Sequence, residues 1–315
     1  MHKQLFNEAV LELGIRANGP LLIKAGETGG LDPTRPDMEW VRTNNQVVLP
    51  GSSLKGVLRA HAERIVRSVQ SGNADGRGAC DPLRRGESCS DRLERQQLDG
   101  QAVYQRSCFV CRMFGNTSIA GRVRFADALP HSARPSATPQ ADEKRSDELL
   151  IEERNGVAID RVYGSVAVGP FNYEVVTRGL FLTRILFTNF TLAQLALVGL
   201  ALRDLGEGRI GIGFGKSRGL GRVSVDWGKL TVRYPLADLR RAAPPLDVLL
   251  GVGELAGETV RQTYGLPHAD RVTLPDGGRF ERDDWSGYQF VAEGSSVQDM
   301  FRAAVERLRA EVDHG

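Results

Sequence analysis

The chain has 315 residues, 41% hydrophobic and 25% charged, enough apolar content for a packed core and too much for a disordered chain. No apolar run approaches the roughly 18 residues of a membrane-crossing helix. The opening residues, with Lys3 and Glu8, lack the apolar centre of an export signal, so a cytoplasmic location is expected. The net charge of +2 hides an asymmetry: residues 236–315 hold 14 acidic and 9 basic side chains, whereas residues 1–235 hold 25 acidic and 32 basic. A basic body suits a polyanion, and an acidic tail suits a different contact. Of the 41 basic residues 35 are Arg, a fork that grips phosphate and stacks on bases, although a GC-rich genome produces the same excess.

In chain order, Leu5 to Ile23 alternates apolar residues over two runs broken by Asn18-Gly19-Pro20, which predicts two strands and a tight turn. Ala25 to Asn45 is a long Gly/Pro/Asp-rich loop, a length usually reserved for function. Val47–Leu49 predicts a short strand leading into Pro50-Gly51-Ser52-Ser53-Leu54-Lys55-Gly56. That segment opens a helix with Ser52 or Ser53 as N-cap and a buried stripe of Leu54, Val57, Leu58, Ile65 and Val69. Gln70–Ser107 reads as a polar insertion, Arg122–Ala128 as a strand and Pro130–Leu149 as a mobile segment. Arg154–Gly169 suggests a projecting hairpin and Leu180–Phe190 a strand. Thr191 caps a helix to Leu205, and a glycine-laden loop runs from Gly206 to Gly221. Strands at Arg222–Val225 and Leu230–Tyr234 and a helix over 296–313 complete the chain.

The order strand–helix–strand, then strand–helix–strand, is that of an α+β ferredoxin-like or RRM-type domain with large insertions, whose free sheet face offers a platform for RNA.

Four motifs carry chemistry. Cys80, Cys89, Cys108 and Cys111 include one CxxC and read as a structural Zn2+ site. At the helix entry, Ser52, Ser53, Lys55 and Arg59 offer hydroxyls, amides and like charges four residues apart, a phosphate site. Gly56 inside the helix suggests a close backbone approach. The loop Gly206–Gly221 spells GxGxxG but follows a helix, and Gly215-Lys216-Ser217 lacks the first glycine of a phosphate loop. A nucleotide-dependent transferase is therefore disfavoured, and Arg209, Lys216, Arg218 and Arg222 describe a backbone that can follow a phosphodiester chain. The hairpin carries small apolar residues between Arg154 and Arg161, suited either to wedging between bases or to burial. Asp32 and Asp37 in the long loop can serve a hard metal ion.

Leu49–Gly56, Cys108–Gly115, Asn155–Gly164 and Gly213–Arg222 together resemble the RAMP superfamily of CRISPR-associated proteins, most closely the backbone subunits of type III effector complexes, of III-D or III-E kind. The resemblance implies an RRM-like domain over residues 1–235, with a zinc-binding insertion at 71–115 and a thumb hairpin at 152–170. It also implies stacking of such subunits along a guide CRISPR RNA, with the thumb wedged between guide and complementary target RNA. The family's ribonuclease aspartate falls nearest Asp37, with Asp32 the alternative, and would use Mg2+ or Mn2+. Residues 236–315 match no part of the family pattern and suit contacts with neighbouring subunits.

Overall fold

The computed structural model describes residues 3–26, 36–70, 78–94, 96, 98–131, 148–237, 244–285 and 287–314. Asp32 and most of Pro130–Leu149 lie outside them, as does the start of the cysteine insertion.

The first strand, β1 (Glu8–Ala17), alternates strictly. Ala9, Leu11, Leu13 and Ile15 are buried, while Val10, Glu12 and Arg16 face the other way. With one face apolar and neighbours on both edges, it occupies the middle of an antiparallel sheet. Two short strands, β2 (Arg42–Thr43) and β3 (Gln46–Val47), form a small hairpin ahead of helix α1 (Gly51–Val69). Three short helices follow, α2 (Cys89–Glu94), α3 (Gly100–Arg106) and α4 (Phe109–Phe114). Next come β4 (Val123–Phe125), β5 (Leu129–Pro130), the long pair β6 (Leu150–Ile159) and β7 (Val166–Arg178), and β8 (Leu180–Thr188). Helix α5 (Leu192–Gly206) leads to β9 (Val223–Tyr234). The last part holds β10 (Val248–Leu250), α6 (Val252–Leu255), α7 (Gly257–Tyr264), β11 (Arg271–Thr273), β12 (Glu281–Arg282), β13 (Tyr288–Glu293) and α8 (Ser295–His314).

The main sheet runs β12-β13-β9-β1-β8-β4, with β5 also on β8. Four of its strands, β9-β1-β8-β4, together with α1 and α5, have the strand order of a ferredoxin-like fold. Helices α1, α5 and α8 cover one face. Helix α5 is apolar nearly all round because it lies between the sheet, α1 and α8, and Thr191 caps it in a full capping box with Gln194, as its sequence predicts.

The sequence expectations need several corrections. Leu5–Ile23 yields one strand, not two. After the turn the chain leaves the sheet, since the slot beside β1 is taken by β9, and Leu21 bridges to Val176 at the root of the β6–β7 hairpin. The two strands expected at 222–234 are one, β9, with an irregularity in its register opposite Leu11–Leu13. The deep stripe of α1 is Leu54, Leu58, Ala62 and Val66, whereas Val57 and Ile65 are only partly covered. Its N-cap is Pro50, not Ser52 or Ser53. Finally, β13 adds to the edge of β9 and places Phe290 and Ala292 in the core.

The free face of the sheet also differs from a base-stacking platform. In register, Glu12 lies opposite Arg184 and Glu8 opposite Arg233, and Arg16 pairs with Asp226 at 2.9 Å. The sheet's aromatic residues, among them Phe181, Phe187, Tyr234 and Phe290, point to the helical side. Opposite charges thus face one another across neighbouring strands, and no aromatic ring among the described residues projects from β1, β8, β9 or β13 on this side.

Candidate nucleic-acid interface

Elsewhere, side chains suited to RNA converge on a groove of about 440 Å3 between the exposed flank of α1 and the glycine-rich loop before β9. Val57, Ala60 and Arg64 supply the helical wall, at i, i+3 and i+7. Arg209, Lys216 and Arg222 supply much of the facing wall. Arg209 shares its charge with Glu207 at 2.8 Å and with Asp204 at 3.8 Å. Arg218, in the same loop, instead lies over the Phe214 ring at 4.7 Å, outside the groove. Sequence reasoning misses Arg64, although its helical spacing from Val57 and Ala60 carries the signal.

The loop's glycines work mainly within the protein. At Gly221 the backbone has φ +85°, and an added Cβ would lie 2.3 Å from the Ile212 carbonyl oxygen, so close packing of the loop on itself dictates the residue. Beneath the groove, His61 Nε2 meets Asp204 Oδ2 at 2.6 Å and joins α1 to α5. Burial would raise the Asp204 carboxyl, but His61 and Arg203 hold it below the usual carboxylate range.

The helix entry is occupied differently from its sequence reading. The Gly51 amide donates to Asp127 Oδ1 at 2.8 Å, so a carboxylate of the chain itself already sits at the positive end of α1. Ser52 is exposed and Ser53 half-buried in the first turn. Burial, and then the Arg59 charge, hold the Lys55 ammonium below its usual range. Arg59 turns inward: Nε donates to Glu63 at 3.1 Å, Nη1 to the Gly115 carbonyl at 2.9 Å and Nη2 to Cys111 Sγ at 3.2 Å. Lys55 and Arg59 therefore do not form a shared phosphate clamp. Within the chain Gly56 marks no close approach, since a Cβ there would meet open space.

Cys80, Cys89, Cys108 and Cys111 are all buried, with their Sγ atoms within 4.8 Å of one another, and can hold a metal ion. Cys80 Sγ and Cys111 Sγ are 3.8 Å apart, far beyond a disulfide bond. Four sulfurs about 2.3 Å from a central ion would have tetrahedral edges of about 3.8 Å, so the donor set fits Zn2+. Hydrogen bonds from Cys108 and then Cys111 pull the Cys80 thiol down to about 6, while those with Cys108, Cys80 and Cys89 push Cys111 up.

Asp37 is exposed at the root of the hairpin, where its Oδ2 accepts from the Asn172 amide at 2.8 Å. Next to it Met38 bridges Tyr173, and Trp40 is fixed by its indole donating to the Val48 carbonyl at 2.8 Å. Among the described residues, the cysteines are the only group of three or more His, Cys, Asp or Glu side chains that could share an ion, so the Mg2+ or Mn2+ expected at Asp37 has no such carboxylate set here. Arg154 and Arg161 lie on the projecting hairpin, Arg154 paired with Glu152 at 3.4 Å and Arg161 in the exposed tip. In that tip Asp160 accepts from the Val162 and Tyr163 amides, and Val162 and Tyr163 are 81% and 83% exposed.

The class the structure defines is an α+β, ferredoxin-like domain with a basic groove and a projecting apolar hairpin, features that suit an RNA ligand. The RAMP superfamily profile matches residues 15–224, two thirds of the chain, and the protein belongs to that superfamily. Membership implies a CRISPR-associated, RNA-binding role. No curated protein matches the sequence. No helix among the described residues is long and apolar enough to cross a membrane.

Proposed function

We propose that the chain is a guide-RNA-binding backbone subunit of a type III CRISPR effector complex, acting in the cytoplasm and stacking with other RAMP subunits along the guide. The basic groove between α1 and the glycine-rich loop carries this reading, because Arg64, Lys216 and Arg222 bring cationic side chains together along a track that suits consecutive phosphates. Its neighbours on the chain would position the guide, and the exposed apolar tip of the hairpin would separate guide from complementary target at one step. The cysteine cluster would hold a structural Zn2+, and the acidic residues after 235 would meet a neighbouring subunit.

Asp37, anchored at the hairpin root, would lie beside the target backbone where the tip interrupts pairing. With Mg2+ or Mn2+ bound, its carboxylate would orient the target's 2′-hydroxyl for in-line attack. The new 2′-O–P bond would form as the P–O5′ bond breaks, leaving a cyclic phosphate and a 5′-hydroxyl. The second reading, an RNA-holding subunit without catalysis, is favoured by the fact that, among the described residues, Asp37 belongs to no group of three or more His, Cys, Asp or Glu side chains that could share an ion.

The test uses the assembled complex and a labelled RNA complementary to its guide, with Mg2+ or Mn2+. Products formed by the wild type and lost in Asp37→Ala, with target binding retained, support cleavage at Asp37; uncut target in both establishes the non-catalytic reading. Lys216→Ala and Arg222→Ala should each weaken guide binding regardless of sequence and reduce the salt dependence by about one phosphate contact. Unchanged affinity in both would remove the groove from the interface.

A further inference from the structure

Helix α1 is joined to the cysteine cluster by a guanidinium. Arg59 reaches from its third turn to Cys111 Sγ at 3.2 Å, with Glu63 and the Gly115 carbonyl holding the other donors. On another side of the cluster, Arg92 of α2 places Nη2 3.4 Å from Cys89 Sγ, and its Nε is buried without a partner. Two backbone amides complete the set, Cys108 N to Cys89 Sγ at 3.2 Å and Cys111 N to Cys108 Sγ at 3.4 Å. A guanidinium has donors only, so sulfurs facing one are best served as thiolates. A divalent ion within four thiolates leaves a net charge of −2 in a buried site, and burying such a charge unpaired costs several kcal/mol. Arg59 and Arg92 supply the two opposite charges without competing for a coordination position, while Arg67, 3.5 Å from Glu63, offsets the carboxylate that Arg59 also contacts.

We propose that Arg59 and Arg92 are positioning residues for a metal centre: they neutralise a buried tetrathiolate, and Arg59 fixes that centre to α1. Arg67 adds a second tie, its Nη2 donating to the Cys80 carbonyl at 2.6 Å. The metal and α1 are therefore stabilised together. Loss of the ion frees Arg59 and loosens the helix at the turn that bears it, whether or not RNA is present.

The test uses the full chain loaded with Co2+ and with Zn2+. In Arg59→Gln and Arg92→Gln, removing an N–H···S contact should move the thiolate-to-cobalt charge-transfer band to longer wavelength. Zn2+ affinity, measured by chelator competition, should fall about 10–100-fold for each variant. Arg59→Lys, which keeps the charge without the fork, should lie between. Amide exchange in residues 57–64 should accelerate when the wild type is stripped of metal. Arg92 sits on a short peripheral helix, so Arg92→Gln keeps the test decisive even where Arg59→Gln fails to fold. Folded variants with the wild-type spectrum and affinity, or a wild type that binds no stoichiometric metal, would overturn the proposal.

Discussion

Two insertions interrupt the same ferredoxin-like plan and solve opposite problems. Between α1 and β4, residues 78–115 form three helices too short to persist alone, yet they bury Leu93, Val103, Phe109, Met113 and all four cysteines. Between β5 and β8, the β6–β7 hairpin pairs only with itself along most of its length and leaves Ile159, Val162, Tyr163, Val166 and Val168 exposed. A lone two-stranded ribbon is marginal in water, and this one is held at its root by Leu21, Met38 and Trp40. The knot spends its apolar side chains on its own stability. The hairpin keeps them for a partner, since a contiguous exposed apolar patch marks an interaction surface.

Stability measurements can break or sharpen this contrast. The largest effect is expected in the knot: Cys111→Ser should lower stability by more than about 4 kcal/mol, the range reached when a metal site is lost, and a thiol-directed metal displacer should reproduce the loss in the wild type. A melting curve unmoved by either treatment would show that the helices hold without an ion. Next is the joint between α1 and β4. An alanine Cβ at Gly51 would lie 2.4 Å from the Phe125 carbonyl oxygen, so Gly51→Ala should cost about 1–3 kcal/mol in denaturant unfolding.

A smaller effect is expected at Glu311 on α8. Burial, and then the Asp270 charge, raise its carboxyl from 4.5 to about 8. The unfolded chain ionises first as pH rises, so this group's contribution to stability is full below about 4.5 and is lost progressively up to about 8. Glu311→Gln should flatten that slope and raise stability at pH 8 by upward of about 1.4 kcal/mol, the equivalent of one pKa unit; an unchanged pH profile would place the charge in solvent. The smallest effect is expected at the hairpin tip. The double substitution Val162→Ser with Tyr163→Ser should change stability by no more than about 0.5 kcal/mol while weakening assembly with RNA or neighbouring subunits. A large loss of stability would show that the tip packs within its own chain.

Much of the scaffold was legible from periodicity. The alternation of β1, the apolar girth and Thr191 cap of α5, and the terminal helix all follow local patterns. Features that depend on distant residues were not legible. The carboxylate that accepts from the first amide of α1 is that of Asp127, 76 positions away from Gly51, so the nearby serines looked like the natural choice. The alternation of opposite charges across the free sheet face appears only with register, which sets Glu12 opposite Arg184. Strand β13 did carry a signal, Tyr-Gln-Phe-Val-Ala-Glu with Phe290 and Ala292 inward, which its acidic surroundings hid. At the candidate site, cysteine spacing revealed a cluster, whereas the inward turn of Arg59 and the placing of Arg64 in the groove required the crossing of α1 with the loop.

The place of β1 also sets a timetable for making the protein. This strand leaves the ribosome early, ending at Ala17, yet its two sheet neighbours begin only at Leu180 and Val223. At about 5–20 residues per second, β1 waits roughly 10–30 s for its first flanking strand. Over that interval an apolar ribbon with two unpaired edges stands open, and the nascent chain is most in need of a chaperone before its scaffold exists.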